Sequence, residues 1–343
     1  MATNTSFTKQ TGGLEIAKTY SSQIAHKTVL ITGVSVGGIG EATARAFAHG
    51  GASLIIATAR NKARVEELAR QISATYPSTK FRCVALDLSS LQDVRRAANE
   101  IEEDKSIENI DIIVNNAGSQ FESAERELTA DGVEVHLATN HLGHFLLVKL
   151  LLPKLLAAAR LNPPGATRLV TLSSVACQFS PFRFSDWNFD CDKDIPASER
   201  PNWPVLSNIV GVSETSKFNA FIAYGQSKTA NALFAIHFSK LFSEKGIFAF
   251  TVNPGGVNST AAKKTIAEAP EEQKATLREV LWKTTDQGSS TVLVAASDPQ
   301  LSPANGVYLE DNQLGQPVSW AVDENKAEML WKLSEDLIAK SSP

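Results

Sequence analysis

Six short runs rich in Val, Ile, Leu and Thr alternate along this chain with helix-like segments. That rhythm restricts the fold more than any single residue does. Residues 28–32, 53–59, 81–88, 110–118, 167–174 and 247–255 read as strands. Residues 40–50, 62–76, 90–104, about 131–159 and 224–242 read as helices. Alternation of this kind predicts an α/β protein with a parallel sheet and helices on both faces. The strands are nearly continuous apolar runs, as expected when both faces are covered. With 343 residues, 43% of them hydrophobic, the chain can bury such a core in a single doubly wound domain spanning 1–343. Its excess length falls in a long insert at about 178–222 and a C-terminal region at about 256–343.

Charge and cysteine content exclude several classes. The chain carries 33 basic and 37 acidic residues, a net charge of −4. No basic excess points to nucleic acid. The cysteines, Cys83, Cys177 and Cys191, form no CxxC pair, which argues against a disulfide framework or a zinc cluster. The polar N-terminus lacks the apolar core of a signal peptide. The most apolar stretch, 144–159, is broken by Lys149, Pro153 and Lys154 and is shorter than the ~20 residues of a membrane span. A buried helix, no membrane span and a soluble cytoplasmic protein are expected.

The segment "TVLITGVSVGGIGEA" (28–42) runs from a strand through a glycine-rich turn into a helix. Glycines there let the backbone approach a pyrophosphate, and the helix N-terminus supplies free N–H groups. Gly33, Gly37, Gly38 and Gly40 are available, although the spacing is not G-x-G-x-x-G. An acid about 20 positions on would hold a ribose 2′-hydroxyl and favour NAD. None stands there; Arg60 does, with Lys62 and Arg64 nearby. Arginine makes paired hydrogen bonds to a 2′-phosphate, so the expected cofactor is NADP (NADPH).

Tyr224 and Lys228 are spaced i, i+4 and share a helix face. An ammonium beside a phenol is expected to lower its pKa from about 10, making the tyrosine a proton donor or acceptor near neutrality. Ser173 and Ser174 end the preceding strand, where the ligand crevice of a doubly wound sheet opens.

Together these residues resemble the short-chain dehydrogenase/reductase family. TGxxxGxG matches Thr32 to Gly40 with one extra residue. NNAG is Asn115 to Gly118, and the helix asparagine is Asn140 in "ATNHLGHFLL". The serine is Ser174 in "RLVTLSSVA", YxxxK is Tyr224 and Lys228, and NPG is Asn253 to Gly255. The matches keep the family's order over about 27–260. "NHLGHFLL" and the long segment before the tyrosine are most similar to the retinol-dehydrogenase-like branch. The insert and the terminal "AEMLWKLSEDL" are similar to fungal members.

The resemblance implies a Rossmann fold and a set of roles. Tyr224 would be the general acid in reduction and the base in oxidation. Lys228 would lower its pKa and hold the nicotinamide ribose, Ser174 would polarise the substrate oxygen, and Asn140 would anchor a proton-relaying water. Gly33, Ser35, Gly38, Ile39 and Gly40 would bind the cofactor with Arg60. Asp87 and Leu88 would meet its adenine end, and Asn116, Ala117 and Gly118 would line its path. Pro254, Gly255, Val257 and Thr260 would pack on the nicotinamide. That motif is also one residue long, so Ser259 and Thr260 both qualify for its polar contact. Which of Gly37 and Gly38 faces the pyrophosphate stays open. The substrate would be a small carbonyl or alcohol, and a homodimer could pair helices 131–159 and 224–242.

Other features draw weaker readings. His136, His141 and His144 lack a carboxylate or cysteine to complete a ligand set, so no metal is expected. Asp186, Asp190, Asp192 and Asp194 read as a solvated loop. Trp187, Phe189, Trp203 and Phe218 suit either a hydrophobic substrate pocket or a core anchoring the insert. Two other functions compete with an NADP-dependent oxidoreductase: a non-catalytic cofactor sensor or scaffold, and an isomerase or dehydratase using the same tyrosine.

Overall fold

All six apolar runs become strands, and their alternate residues enter two cores. This is seen in a computed structural model of the chain, which describes residues 4–120, 125–190, 195–215, 217–268, 271, 274, 278–279 and 281–341. The strands are β1 (Thr28–Thr32), β2 (Leu54–Ala59), β3 (Lys80–Ala85), β4 (Ile112–Asn115), β5 (Thr167–Leu172) and β6 (Ile247–Asn253), extended by β7 (Tyr308–Glu310) and β8 (Gln313–Leu314). The order is β3-β2-β1-β4-β5-β6-β7-β8, parallel except for β8. Leu30 pairs with Ile56 on one side and Ile113 on the other.

Period-two alternation sorts the strand residues. Leu30, Ile113, Leu169 and Ala249 face one core, with α5 (Leu91–Glu102), α7 (Gly143–Leu161) and α9 (Ala220–Phe242). Ile31, Val114, Val170 and Phe250 face the other, with α1 (Gly13–Thr19), α3 (Ile39–His49), α4 (Lys62–Thr75) and α11 (Thr285–Ser297). Chain order reverses between β1 and β4. A crevice therefore opens beyond their carboxyl ends, the usual ligand position in such sheets.

Several boundaries differ from the sequence expectation for identifiable reasons. β3 stops at Ala85 because Asp87 turns the chain, its Oδ1 accepting from Ser89 N and Oγ at 3.0 and 2.6 Å. The helix expected from 131 begins at Val135, where buried Glu134 caps it through His136 N and Leu137 N. It then widens into a π turn at Ala138–Leu142. Helix α9 starts one turn before Tyr224, capped by Asn219.

The apolar segment Val135–Leu161 is long and apolar enough to cross a membrane by length and composition. In the fold it is a core helix, with Phe145, Leu147, Leu151 and Leu155 fully buried.

The C-terminal helix α12 (Glu324–Lys340) lies on α7 and α9. The Trp331 ring meets Phe145 edge-on at 4.9 Å and stacks on Phe234 at 6.0 Å. Ser334 Oγ bonds His141 Nε2 at 2.8 Å, and Lys149 pairs with Glu335 at 2.6 Å. The two helices expected to meet in a dimer thus carry a helix of their own chain. Trp331→Ala is expected to cost about 2–3 kcal/mol, read as a lower urea midpoint. An unchanged midpoint would mean that α12 is not docked there.

Candidate active site

The glycine turn resolves its extra residue. Gly37 takes the left-handed conformation (φ +71°), which a side chain resists, and Gly38 caps α3 in an extended one (φ −102°, ψ 168°). A Cβ on Gly40 would lie 2.5 Å from Gly33 O and 2.7 Å from Asn116 Nδ2, so only glycine lets α3 sit this close to β1. Unlike α4, α5 and α9, which Asn61, Ser90 and Asn219 cap, α3 has no side-chain cap. The N–H groups of Ile39 and Gly40 have no partner among the described residues. An uncapped helix N-terminus with approachable backbone fits a dinucleotide pyrophosphate. Exposed Ser35 lies in the same turn.

Arg60 is exposed one residue beyond β2 and makes no ion pair among the described residues. Its neighbour Lys62 pairs with Glu100 at 3.7 Å. Asp87 is tied up in its turn. The Leu88 side chain is buried in the core, so a cofactor contact there would come from its main chain. Asn116 braces the loop: its Nδ2 donates to Thr32 O at 2.7 Å and Gly33 O at 3.2 Å. Ala117 packs beneath Gly33, and Gly118 is exposed beside Asn140 and Lys228.

On the far side, Pro254 O accepts from Lys283 Nζ at 3.2 Å, and Gly255 (φ +79°) lies over that side chain. Lys283 is fully buried and also pairs with Asp311 at 2.6 Å. Val257 is buried against Gly288, so it packs within the fold. Ser259 Oγ takes up Ala262 N at the start of α10 (Thr260–Glu268). Thr260 instead reaches the glycine turn: its N donates to Gly37 O at 3.0 Å and its Oγ1 to Val36 O at 3.1 Å. The two lengthened motifs therefore touch.

The catalytic candidates converge at the ends of β4 and β5. Gln120 Nε2 donates to the Tyr224 phenol oxygen at 3.4 Å, and Ser174 faces the same phenol and acts to lower its pKa. Lys228 Nζ lies 5.5 Å from the Tyr224 ring centroid and donates to Leu172 O at 3.1 Å. Ser173 is separated from Ser174 by its partner: buried Ser173 gives its hydroxyl to Lys228 O at 2.8 Å. The Asn140 side chain is fully engaged, with Oδ1 accepting from Ser119 N at 2.7 Å and Nδ2 donating to Ser119 O and Ser227 Oγ.

The electrostatics reverse one expectation. Burial pushes the Tyr224 phenol up to about 12, and the Ser174 and Gln120 hydrogen bonds pull only partly against it. Burial also pushes Lys228 down to about 8. A low-dielectric site penalises both charged forms, so the i, i+4 pair alone does not make a phenolate.

The other candidates are placed as follows. His136 bonds Glu134 at 2.6 Å, His141 bonds Ser334, and His144 bonds Thr32 and Asn140. Asp186 is not solvated: it is buried and paired with Arg183. Asp190 pairs with Arg126 at 2.7 Å, while Cys191, Asp192 and Asp194 lie outside the described residues. Phe189, Trp203 and Phe218 join Leu206 and Ile222 in a small core that includes Tyr224 itself, whereas Trp187 packs on the main core. The insert thus both anchors itself and walls the tyrosine. Gln120 was not legible as a site residue, since no motif singles it out, and His144 stood out in the sequence only as a metal-ligand candidate.

A family model for short chain dehydrogenase matches residues 27–186. The oxidoreductase fscI of Fusarium equiseti is 37% identical over 73% of this chain and 95% of its own length. Mouse retinol dehydrogenase 12 is 32% identical over 93% and 89%. The chain belongs to the short-chain dehydrogenase/reductase family. A crystal structure of an uncharacterised Mycobacterium paratuberculosis protein has the same fold, with a TM-score of 0.62 and 28% identity over 93% of this chain and 96% of that one. The family-model match ends before Tyr224 and Lys228. Their place as candidates rests on the geometry above.

Proposed function

We propose that this protein is an NADPH-dependent oxidoreductase that interconverts a carbonyl and an alcohol on an apolar small molecule. One observation carries the reading: Ser174 and Gln120 face the Tyr224 phenol, Lys228 Nζ lies 5.5 Å from its ring, and the N-terminus of α3 has no side-chain cap. The nicotinamide cofactor, when bound, supplies or accepts the hydride. Ser174 hydrogen-bonds the substrate oxygen and aligns it with the phenol. Tyr224, neutral through the physiological range, gives its proton to that oxygen in reduction. Lys228, while charged, stabilises the phenolate left behind. In the alcohol-to-aldehyde direction the same groups run in reverse.

Apolar chemistry is supported by the wall around Tyr224, formed by Ala176, Phe179, Phe189, Leu206 and Ile222. It is also supported by the name of the retinol dehydrogenase relative. A sensor or scaffold would have no need of the Asn140, Ser174, Tyr224 and Lys228 set. An isomerase or dehydratase would leave the cofactor's redox state unchanged over the reaction. In this reading the protein works in the cytoplasm, and α12 replaces a partner subunit on the α7–α9 face.

Preference for NADPH over NADH rests on Arg60 and on the missing acid at the end of β2. Charge-assisted bonds to a 2′-phosphate are worth about 1.5–3 kcal/mol, or roughly 10–100-fold in affinity. Arg60→Ala is expected to weaken NADPH binding by that factor and leave NADH binding within about twofold. Equal affinities for the two cofactors, unchanged in the variant, would refute the preference.

A further inference from the structure

Thr32, the last residue of β1, has a hydroxyl that accepts main-chain N–H groups from both Asn116 and Ala117 at 3.0 Å. Its own proton then points to His144 Nε2 at 2.8 Å, since the other acceptor, Val114 O, lies at 3.5 Å. His144 Nδ1 meets Asn140 O at 3.0 Å. A carbonyl only accepts, so Nδ1 carries the ring proton and Nε2 is the acceptor. The ring is 1% exposed. Burial pushes its pKa down to about 4, which keeps it neutral.

The two ends of this link matter. Thr32 and its partners Asn116 and Ala117 form the cofactor side of the crevice, next to Gly33. Asn140 lies in the π turn, holds Ser119 and Ser227, and stands beside Gly118 and Lys228. We propose that His144 is a positioning residue whose Nδ1–H tautomer fixes the Asn140 turn to the end of β1, so that cofactor loop and catalytic side chains keep one relative geometry. A side chain with one donor and one acceptor at this span is what the two ends demand.

The inference deepens the oxidoreductase reading and rests on it for the kinetic consequence, but its structural core is tested separately. In the intact chain labelled with ¹⁵N-histidine, His144 is expected to show a protonated Nδ1 and a bare Nε2 from pH 5.5 to 8. An Nε2–H tautomer, or an imidazolium in that range, would overturn the link. Hydrogen exchange at residues 139–142 and 116–118 is expected to quicken in His144→Phe and to return towards the wild-type rate in His144→Gln, whose carboxamide can both donate and accept. Equal exchange in the two variants would overturn the positioning role. In turnover, His144→Phe is expected to lose about 10–100-fold in kcat, with KM for the carbonyl within about threefold. Thr32→Val combined with His144→Phe should lose less than the product of the single losses, because both break one link. Additive losses would contradict it. The expected tautomer and exchange in a wild-type protein that reduces no carbonyl would sink the oxidoreductase reading alone.

Discussion

Tyr224→Phe is expected to lower carbonyl turnover by about 10²–10⁴-fold while NADPH still binds. The substitution removes one oxygen from a ring that stays packed against Ala176, Phe179 and Ile222. Ser174 and Gln120 lose a partner, but the cofactor side of the crevice is built from other residues. The size of the effect follows from role. Ser174 can polarise a substrate oxygen, yet an aliphatic hydroxyl has no buried ammonium to offset its ionisation. The measurement is NADPH oxidation in the presence of carbonyl, with a cofactor-binding titration alongside. Turnover within threefold of wild type would remove Tyr224 from the mechanism. Loss of both binding and turnover would mark a folding defect instead.

Lys228→Met should abolish turnover and stabilise the protein, an opposition that few substitutions produce. Lys228 is buried, and its pKa is pushed from 10.5 to about 8 in the folded state. Below pH 8 both folded and unfolded states hold the proton, and the folded state pays for a buried charge. A shift of that size corresponds to about 3 kcal/mol, offset by about 1 kcal/mol for the lost hydrogen bond to Leu172 O. Between about pH 8 and 10.5 the unfolded state binds more protons, so wild-type stability rises with pH across that window. At pH 7 Lys228→Met is therefore expected to gain about 2 kcal/mol, and the rise between pH 8 and 10.5 should largely disappear. Denaturant unfolding at several pH values reads both effects. A less stable variant at pH 7 would mean that Lys228 is better solvated than its burial implies.

The strands were legible because a covered parallel sheet needs apolar runs, and six such runs stood in the chain. The candidate set was legible because its motifs have fixed spacing: Tyr224 and Lys228 share a helix face, and Ser174 lies just beyond a strand. What stayed hidden depends on contacts between distant segments. The π turn at Ala138–Leu142 leaves no mark in an apolar run that reads as one continuous helix. Helix α11 is rich in Gly, Ser and Thr and owes its form to burial, although its Thr284–Gln287 capping box was present in the sequence. The Tyr224 phenol illustrates the limit most clearly. Spacing showed the nearby ammonium, but burial, which dominates the titration, is a property of the whole fold. Likewise, the glycine turn and the Thr260 segment each read as one residue too long, and only the fold shows that Gly37 and Thr260 meet.

The most direct test of the central claim follows the hydride. Purified protein would be incubated with NADPH carrying deuterium at the transferable position and a panel of apolar aldehydes and ketones, and the products weighed by mass spectrometry. The oxidoreductase reading predicts an alcohol bearing one deuterium on the former carbonyl carbon, formed by wild type and lost in Tyr224→Phe. Products without deuterium, or NADPH that binds and is never oxidised across the panel, would contradict it.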